Sequence, residues 1–272
     1  MDLRLKDAAV LVTGGSRGIG LGIAMGFAAE GARVAICGRD AARLEQAVAE
    51  IRATGAQAVG IRADLFQADD CRLVVEQTVA AFGRLDVLVN NASTNVDRTP
   101  ASLEEATDAQ VMERFMGKTM GAIRCSRAAL PALKAAGAGR IVNIGGSSAR
   151  AVSRHRAGAG SGLPQGLGNA ALANFTRHLA EEVARDGIVV NIVHPSLTRT
   201  DRHIDRMARR AREGGTSVEQ AEAEVGATFP IGRVPTPADI VPLVLLLCSP
   251  LAGAISGQAM AVDGGMGLAV QY

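Results

Sequence analysis

The sequence is poor in aromatic residues and contains no tryptophan. Aromatic residues make up 3% of its 272 residues, and the single tyrosine is Tyr272. Because 48% of the chain is hydrophobic, a large core must be built from Ala, Val, Ile and Leu. Small aliphatic side chains suit a parallel sheet that is covered by helices, and the length is sufficient for one large α/β domain.

Charge, cysteine and long apolar runs are also limited. The formal net charge is only +2, from 29 basic and 27 acidic residues, which gives no nucleic-acid footprint. The four cysteines are scattered without the Cys or Cys/His spacing of a metal site, so we expect buried, reduced thiols and no metal. The longest apolar run, residues 243–248, is too short to cross a membrane, and the first residues show no signal-peptide pattern. We therefore expect a cytoplasmic protein without membrane contact.

The stretch V-L-V-T-G-G-S-R-G-I-G at residues 10–20 combines a strand pattern with a glycine-rich turn. A helical pattern follows and is clear over residues 23–30. Gly14, Gly18 and Gly20 lack a Cβ and let backbone N–H groups approach a ligand, and a helix N-terminus attracts a pyrophosphate. The spacing departs from the usual G-x-G-x-x-G, and an ordinary glycine turn is the alternative. Its position between strand and helix favours a dinucleotide site.

Further strand patterns alternate with helical patterns along the whole chain. Alternation with short connections predicts an α/β fold with a doubly wound parallel sheet of about seven strands. We expect one domain over residues 1–272, one long helix over 108–136 with a kink near Pro131, and a sixth helix from Leu167. The polar, Arg-rich segment 196–232 is interpreted as a substrate lid. The predicted strands after the first lie at 33–37, 57–61, 86–90, 140–144, 188–194 and 258–262.

Several motifs together resemble the short-chain dehydrogenase/reductase family. They are T-G-G-S-R-G-I-G at 13–20, D-L at 64–65, N-N-A at 90–92, Pro195, and V-D-G-G at 262–265. The resemblance covers nearly the whole chain. It implies a Rossmann-type fold, a nicotinamide dinucleotide, a small-molecule substrate with a carbonyl or alcohol group, and a homotetramer or homodimer.

The resemblance also implies which residues bind the cofactor. The glycine loop would hold the pyrophosphate, Asp64 and Leu65 would lie at the adenine, and the segment after the fourth strand would line the ribose. Pro195 and Thr198 would hold the nicotinamide carboxamide. For Asp64 the alternative is a helix cap. The loop and ribose residues implied are Gly14, Ser16, Arg17, Gly18, Ile19, Gly20, Asn91, Ala92 and Ser93, where Ser93 replaces a glycine that is usual in the family.

Two arginines favour NADP(H) over NAD(H). Folds that bind NAD usually place a carboxylate after the second strand, whereas this chain has Gly38 followed by Arg39. A guanidinium pairs with a 2′-phosphate, and Arg17 could add a second contact. Asp40 is adjacent to Arg39, so NAD(H) stays an alternative cofactor. A second alternative is that both arginines are solvated turn residues.

The family's catalytic residues are changed in this chain. The family pattern has an Asn in the long helix, a Ser after the fifth strand, a Tyr, and a Lys four residues after the Tyr. Alignment by the flanking residues places Gln165 at the tyrosine and Asn169 at the lysine. Lys118 stands at the asparagine position, and Gly146 at the serine position is followed by Ser147 and Ser148. Tyrosine-based catalysis is therefore not supported.

The exchange of amide and ammonium suggests a hypothesis for the altered site. Lys118 would keep a cation near the nicotinamide ribose, and Asn169 would bind its hydroxyls. The candidate proton donors are Lys118, Ser147, Ser148 and His155. Histidine is the usual acid or base near neutral pH, and a general acid must come within hydrogen-bond distance of the substrate oxygen. The alternatives are that Lys118 extends to the surface and that His155 is solvated in a long loop.

Three functions remain open from the sequence. The preferred one is an NADP(H)-dependent oxidoreductase acting on a carbonyl or alcohol with an atypical proton route. The others are a nucleotide-binding pseudoenzyme that acts as a scaffold, and a lyase or isomerase on the same fold. An anionic substrate is suggested by a group of arginines, although a solvated basic face explains them equally well; they are Arg150, Arg154, Arg156, Arg199, Arg202 and Arg206.

Overall fold

The computed structural model describes residues 1–93, 102, 104–150 and 163–267. The strands within these residues are β1 (Ala9–Thr13), β2 (Arg33–Gly38), β3 (Ala58–Arg62), β4 (Val87–Asn90), β5 (Arg140–Ile144), β6 (Val189–Pro195) and β7 (Ala259–Val262). They form one seven-stranded sheet in the order β3-β2-β1-β4-β5-β6-β7. All pairings are parallel. The predicted doubly wound α/β fold is confirmed.

Helices connect successive strands and cover both faces of the sheet. Among the described residues, none of them is both long and apolar enough to span a bilayer. The helices are α1 (Gly18–Ala29), α2 (Ala41–Ala53), α3 (Ala68–Phe82), α4 (Asp108–Arg114), α5 (Gly121–Ala136), α6 (Leu163–Val183), α7 (Asp201–Gly214), α8 (Val218–Gly226) and α9 (Pro237–Cys248).

The core consists of two aliphatic layers, one on each face of the sheet. Val10 and Val12 of β1 pack toward α1, α2 and α9, together with Phe27 and Ile240. Leu11 packs on the opposite face in the layer formed with α3, α5 and α6. Because successive strand residues point to opposite faces, a central strand of this kind must be apolar throughout. The burial of all four cysteines, which are free, agrees with the expectation of core thiols.

The strand order reverses between β1 and β4. The chain runs outward from β1 to β3, then crosses to β4, which pairs with β1 through Val10 and Val87. The loops after β1 and β4 therefore diverge to opposite faces and leave a crevice at the carboxyl ends of the strands. Ligands of open α/β sheets bind at such a point.

The predicted long helix differs from expectation in where its irregularity lies. A π-helical segment, Phe115–Met120, separates α4 from α5, whereas Pro131 lies within α5. The predicted kink near Pro131 stays a prediction, and the π-helical segment is an irregularity that the sequence did not indicate. A π segment accommodates an extra residue in a helix and is often found at functional sites, and Lys118 lies in the middle of this one.

Two other helices begin earlier than the sequence pattern predicts. α1 begins at Gly18 rather than at residue 23, and α6 begins at Leu163 rather than at Leu167. Both starting segments are rich in glycine and lack an apolar stripe. Tertiary contacts of these turns override their weak helix propensity.

A buried polar network joins the ends of β4 and β5 to two helices. The side-chain amide of Asn90 donates to Asn143 Oδ1 at 2.9 Å and to the hydroxyl of Ser126 in α5 at 3.0 Å. Asn143 Nδ2 in turn donates to Thr176 Oγ1 in α6 at 2.9 Å. These bonds fix the strand ends from which the site is built, because buried polar groups are costly when they lose a partner.

Replacing Asn143 by alanine should destabilise the protein markedly. We expect Asn143→Ala to lower the free energy of unfolding by about 2–4 kcal/mol, since two buried hydrogen bonds are lost and a cavity remains. Urea denaturation followed by circular dichroism measures the change. Gln46→Ala, which removes an exposed bond to Glu50, is the control and should cost less than about 0.5 kcal/mol. Equal losses in the two variants would contradict the role of the network.

Candidate functional site

The glycine turn after β1 has the geometry of an anion-binding loop. Gly14 and Gly18 adopt left-handed backbone conformations with φ of 64° and 56°. A Cβ on Gly14 would lie 2.9 Å from the Cα of Ala92, so this approach of the two loops requires glycine. In the part of the chain that the structure describes, α1 has no side-chain cap from Arg17 and no acidic residue in its first turn. Its N-terminal N–H groups can therefore receive an anion.

Hydrogen bonds tie the glycine turn to the end of β4. Asn91 Nδ2 donates to the carbonyl oxygens of Thr13 and Gly14 at 3.0 and 3.1 Å. The hydroxyl of Thr13 accepts from the N–H groups of Asn91 and Ala92 at 3.0 and 3.1 Å. The structure thus gives the Asn91 side chain a supporting role, and contact of Asn91, Ala92 and Ser93 with a ribose stays a prediction.

Three arginines lie on the loops at the outer end of this crevice. Arg17 is the residue before α1, Arg39 follows β2, and Arg62 Nε at the end of β3 donates to the carbonyl oxygen of Arg39 at 3.2 Å. A Cβ on Gly38 would lie 3.0 Å from the hydroxyl of Ser16, which brings the glycine turn and the end of β2 together. Sequence reasoning missed Arg62, although its place at the end of the neighbouring strand was a usable signal.

Asp40 is the acidic residue that kept NAD(H) as an alternative cofactor, and its side chain caps a helix. Its carboxylate accepts a hydrogen bond from the N–H of Arg43 at 3.1 Å and caps α2. A cap of this kind stabilises a helix by about 1 kcal/mol. The carboxylate therefore has a partner other than a ribose hydroxyl.

Asp64 and Leu65 lie shortly after the end of β3. Asp64 Oδ1 accepts from the N–H of Phe66 at 3.3 Å, and its own N–H donates to Asp70 at 2.7 Å. Gln67 occupies the N-cap position of α3 and makes no side-chain capping bond, so the alternative that Asp64 caps this helix is wrong. Its role toward adenine remains a prediction.

Lys118 and Asn169 both contact the loop after β5. Lys118 Nζ donates to the carbonyl oxygen of Gly145 at 3.1 Å. Asn169 Nδ2 donates to the hydroxyl of Ser148 at 2.9 Å. A Cβ on Gly146 would lie 2.7 Å from Asn169 Nδ2, so a serine at this position would not fit beside Asn169 without movement.

A small, half-open cavity of about 50 Å³ lies between the π-helical segment and α6. It brings together Lys118, Asn169 and Gln165, three of the predicted catalytic residues, with Arg114 on one wall. The lining residues are Ser93, Arg114, Lys118, Pro164, Gln165, Gly168 and Asn169. Arg114 was missed by sequence reasoning, although its spacing of four residues from Lys118 places both on one helix face.

The lysine in this cavity is electrostatically perturbed. Burial, together with the positive charge of Arg114, lowers the pKa of Lys118 to about 8. A lysine with a pKa near neutrality can both carry charge and transfer a proton at physiological pH. Lys118 therefore does not extend freely to the surface. Asn169 Oδ1 is buried and has no hydrogen-bond partner in the described structure, so an acceptor is left for a ligand.

A buried histidine supports the same loop from below. His194 Nδ1 accepts from the N–H of Gly146 at 3.1 Å, and burial lowers the pKa of His194 to about 4. The neutral ring then carries its proton on Nε2, which has no partner among the described residues. His194 is a positioning residue that sequence reasoning missed, and its place directly before Pro195 was the available signal.

The segment after β6 closes the remaining side of the crevice. Pro195 pairs with Val262 of β7, and the buried Thr198 donates to the carbonyl oxygen of Ser196 at 3.1 Å. Thr200, at the start of α7, approaches Gly18 so closely that a Cβ there would lie 3.3 Å from its Cγ2. This segment therefore lies directly beside the glycine turn. Contact of Pro195 and Thr198 with the nicotinamide stays a prediction.

The predicted proton donors other than Lys118 are not among the lining residues that the structure describes. His155, like Arg154 and Arg156, lies outside the described residues. Ser147 and Ser148 lie together in a short 3₁₀ turn, and neither is a lining residue of the cavity. No group of acidic, histidine and cysteine side chains suited to a metal ion occurs in the described residues.

Comparisons with known proteins identify the family to which the chain belongs. A family model described as enoyl-(acyl carrier protein) reductase matches residues 14–267. The short-chain reductase protein NovJ of Streptomyces niveus is 33% identical over 260 residues, which cover 96% of this chain and 94% of that protein.

Solved structures are similar over the same length. L-sorbose reductase from Gluconobacter frateurii, complexed with NADPH and L-sorbose, superimposes with a TM-score of 0.91 at 30% identity, covering 99% of this chain and 100% of that one. A variant of actinorhodin polyketide ketoreductase with NADPH gives a TM-score of 0.86 at 31% identity, covering 97% and 98%. By its sheet order, glycine turn and similarity along nearly its whole length, this chain belongs to the short-chain dehydrogenase/reductase family of oxidoreductases.

Proposed function

We propose that the protein is an NADP(H)-dependent oxidoreductase that acts on a carbonyl or alcohol group through a non-standard proton relay. The observation that carries this proposal is the meeting of Lys118, Asn169 and Gln165 in one open cavity at the end of β5. Resemblance to the family aligns these three residues with its asparagine, lysine and tyrosine. The site therefore keeps a cation and an amide, in exchanged positions, and replaces the phenol by a carboxamide.

The residues of the nucleotide crevice fit an NADP(H) molecule. The uncapped first turn of α1 and the left-handed glycines fit a pyrophosphate. Arg17, Arg39 and Arg62 would surround a 2′-phosphate, while Asp40 is committed to α2. The NADPH complexes of L-sorbose reductase and the actinorhodin ketoreductase support the same choice.

At the nicotinamide end of the crevice, the cofactor would carry the hydride and side chains of the protein would carry the proton. When bound, the nicotinamide would supply or accept the hydride. During reduction, Lys118 would give a proton to the substrate oxygen. Ser148, whose oxygen accepts from Asn169 Nδ2, keeps its own O–H for a hydrogen bond to that substrate oxygen. Gln165 cannot donate a proton at neutral pH and would only orient the substrate.

The segment 196–232 is part of the proposal as a lid. Within it α7 and α8 pack together through a small cluster of Met207, Ala211 and Ala221, separate from the two sheet layers. Such a unit could move without disturbing the core of the single domain. The homo-oligomer, as dimer or tetramer, and a cytoplasmic location are kept as proposals from family resemblance and composition.

The open cavity favours an enzyme over the alternatives. A scaffold protein would be supported by side chains that fill the site, whereas a small open cavity of about 50 Å³ is present beside Lys118. A lyase or isomerase has no specific observation in its favour.

Replacing Lys118 should remove most of the activity. A panel of ketones, acyl thioesters and quinones, assayed by NADPH oxidation, first identifies a substrate. We then expect Lys118→Met to lower kcat/KM by about 10²-fold or more, because general acid catalysis contributes on this scale. Lys134→Met, on the half-exposed pair with Asp186, is the matched control and should retain wild-type activity. Unchanged activity in Lys118→Met would exclude the proposed relay.

Replacing Arg39 should change the cofactor preference. We expect Arg39→Asp to weaken NADPH binding by about 10-fold or more and to leave NADH binding unchanged or stronger, because a carboxylate repels the 2′-phosphate. Fluorescence titration with each nucleotide measures the two dissociation constants. Arg72→Asp, the same charge change on the exposed face of α3, should affect both nucleotides little. A parallel loss for NADPH and NADH would count against the 2′-phosphate site.

The low pKa of Lys118 should make stability depend on pH. An unfolded lysine has a pKa near 10.4, whereas Lys118 has a pKa of about 8. Between these values the unfolded chain binds more protons, so the stability contributed by this site rises with pH. Relative to Lys118→Met, wild type should gain about 1–3 kcal/mol of unfolding free energy from pH 7 to pH 10. Parallel pH profiles of the two proteins would show that the lysine titrates normally.

A further inference from the structure

One peptide group connects the buried histidine of β6 to the lysine of the cavity. Lys118 Nζ donates to the carbonyl oxygen of Gly145 at 3.1 Å, and the N–H of Gly146 donates to Nδ1 of His194 at 3.1 Å. That oxygen and that N–H belong to the same amide. A carbonyl oxygen accepts a hydrogen bond more strongly when the N–H of its own amide donates one, because hydrogen bonds in a chain polarise one another.

The two glycines let other side chains approach this amide from both ends. A Cβ on Gly145 would lie 2.5 Å from His194 Nδ1, and a Cβ on Gly146 would lie 2.7 Å from Asn169 Nδ2. The N–H of Gly145 also donates to the carbonyl oxygen of Val193 at 2.8 Å. The plane of the amide is therefore fixed by its neighbours, since two glycines alone would leave it free to turn.

The histidine ring makes this one hydrogen bond among the described residues. It is fully buried, and Nε2, which carries the proton, has no partner there. An unpaired N–H in the interior costs free energy, and a leucine would fill a similar volume without that cost. What the ring of His194 provides, and a leucine could not, is the acceptor for Gly146.

The amide is also the one hydrogen-bond acceptor of Lys118 among the described residues. A carbonyl oxygen that accepts from an ammonium group favours its charged form. Burial and the positive charge of Arg114 act in the opposite direction and lower the pKa of Lys118 to about 8. The strength of the bond to Gly145 therefore affects how much of the lysine is charged near neutral pH.

We propose that His194 is a positioning residue for the ammonium group of Lys118, on which it acts through a single amide. By accepting from Gly146 it orients and polarises that amide, whose carbonyl oxygen then holds Nζ at the cavity. Burial, with the positive charges of Arg150 and Lys118, lowers the pKa of His194 to about 4. The ring is therefore neutral at physiological pH and does not act as a nearby charge. This inference rests on the proposed oxidoreductase function, for which it places the proton donor.

The small number of lysines allows a test that needs no substrate. The chain contains three, Lys6, Lys118 and Lys134. Lysine labelled with ¹³C at Cε therefore gives three signals in an NMR titration, and Lys118→Met assigns the relevant one. We expect His194→Leu to lower the titration midpoint of Lys118 by about 0.5–1 pH unit, because the charged form loses part of its hydrogen bond. An unchanged midpoint in folded His194→Leu would overturn the inference.

Two further variants separate positioning from packing. In His194→Asn, Oδ1 is as many bonds from the backbone as Nδ1 of histidine, so it can accept from Gly146 and should restore at least about half of the lost midpoint. His178→Leu removes an exposed histidine of α6 and should leave the midpoint unchanged. Equal shifts in His194→Asn and His194→Leu would indicate disturbed packing and overturn the role of the acceptor.

A measurement on the wild-type protein needs no variant to fold. The ¹⁵N signals of the His194 ring should show a proton on Nε2 and none on Nδ1. Nδ1 should also show a scalar coupling, across the hydrogen bond, to the amide nitrogen of Gly146. A proton on Nδ1 at neutral pH would overturn the inference.

Activity separates this inference from the function on which it rests. With a substrate from the carbonyl panel, His194→Leu should lower kcat by about 2–5-fold near pH 8 with little change in KM, because less Lys118 is charged to act as the acid. A shifted midpoint without NADPH oxidation by any carbonyl would keep the positioning role and reject the function. Activity that depends on Lys118, with an unchanged midpoint in His194→Leu, would keep the function and overturn the positioning role.

Discussion

The side-chain amide of Asn91 connects the two halves of the sheet at the place on which the rest of the site depends. It satisfies the carbonyl oxygens of Thr13 and Gly14, which the glycine turn would otherwise leave without a partner. In the opposite direction, the hydroxyl of Thr13 accepts hydrogen bonds from two N–H groups that follow β4. It also donates a hydrogen bond to the carbonyl oxygen of Val89. Strand reversal alone would open a crevice, but these bonds set its width.

This arrangement separates a rigid nucleotide end from a chemically adjustable end. The glycine turn tolerates almost no added side-chain volume, because Ala92 and Asn91 lie against it. At the other end, the contacts around Lys118 and Asn169 involve one carbonyl oxygen and one hydroxyl. These contacts do not involve the glycine turn. The hypothesis of an exchanged ammonium and amide is therefore compatible with an intact glycine turn.

The charged cavity contributes little to the stability of the fold. Lys118 donates to a single carbonyl oxygen and lies close enough to Arg114 for the two charges to repel. Lys118 is a partly buried cation without a paired carboxylate among the described residues, and such a group costs free energy. Groups that cost stability and have strongly shifted pKa values are more often found where chemistry requires them, which is consistent with a reactive role for this wall.

The sequence was informative wherever a property is local. Strand positions follow from apolar runs, and the predicted strand limits agree with the structure to within one residue. The glycine turn could be recognised because its spacing requires left-handed backbone. Lys118, Gln165 and Asn169 were predicted to meet, and the structure places them in one cavity.

What depends on distant parts of the chain was not predictable in the same way. Arg114 lines the cavity together with residues of α6, and the charge of Arg202 lowers its pKa. Both lie far away from Arg114 in sequence. The burial of His194 depends on Gly145 and Gly146 of another strand end. The start of α6 lies in a glycine-rich segment without helical hydrophobic periodicity. Its helical state is imposed by neighbouring parts of the fold, so the sequence pattern did not predict this start.

The π-helical segment Phe115–Met120 has a consequence for how this protein can diverge. Beyond it, α5 must keep Cys125 and Leu133 against the sheet. One extra residue in a helical turn rotates everything before it by about 100° relative to a regular helix. The segment therefore sets the rotation of α4 independently of α5. α4 can present a different row of side chains to the cavity while the core contacts of α5 are unchanged. Loss or gain of a single residue here would change substrate range without a change in any strand.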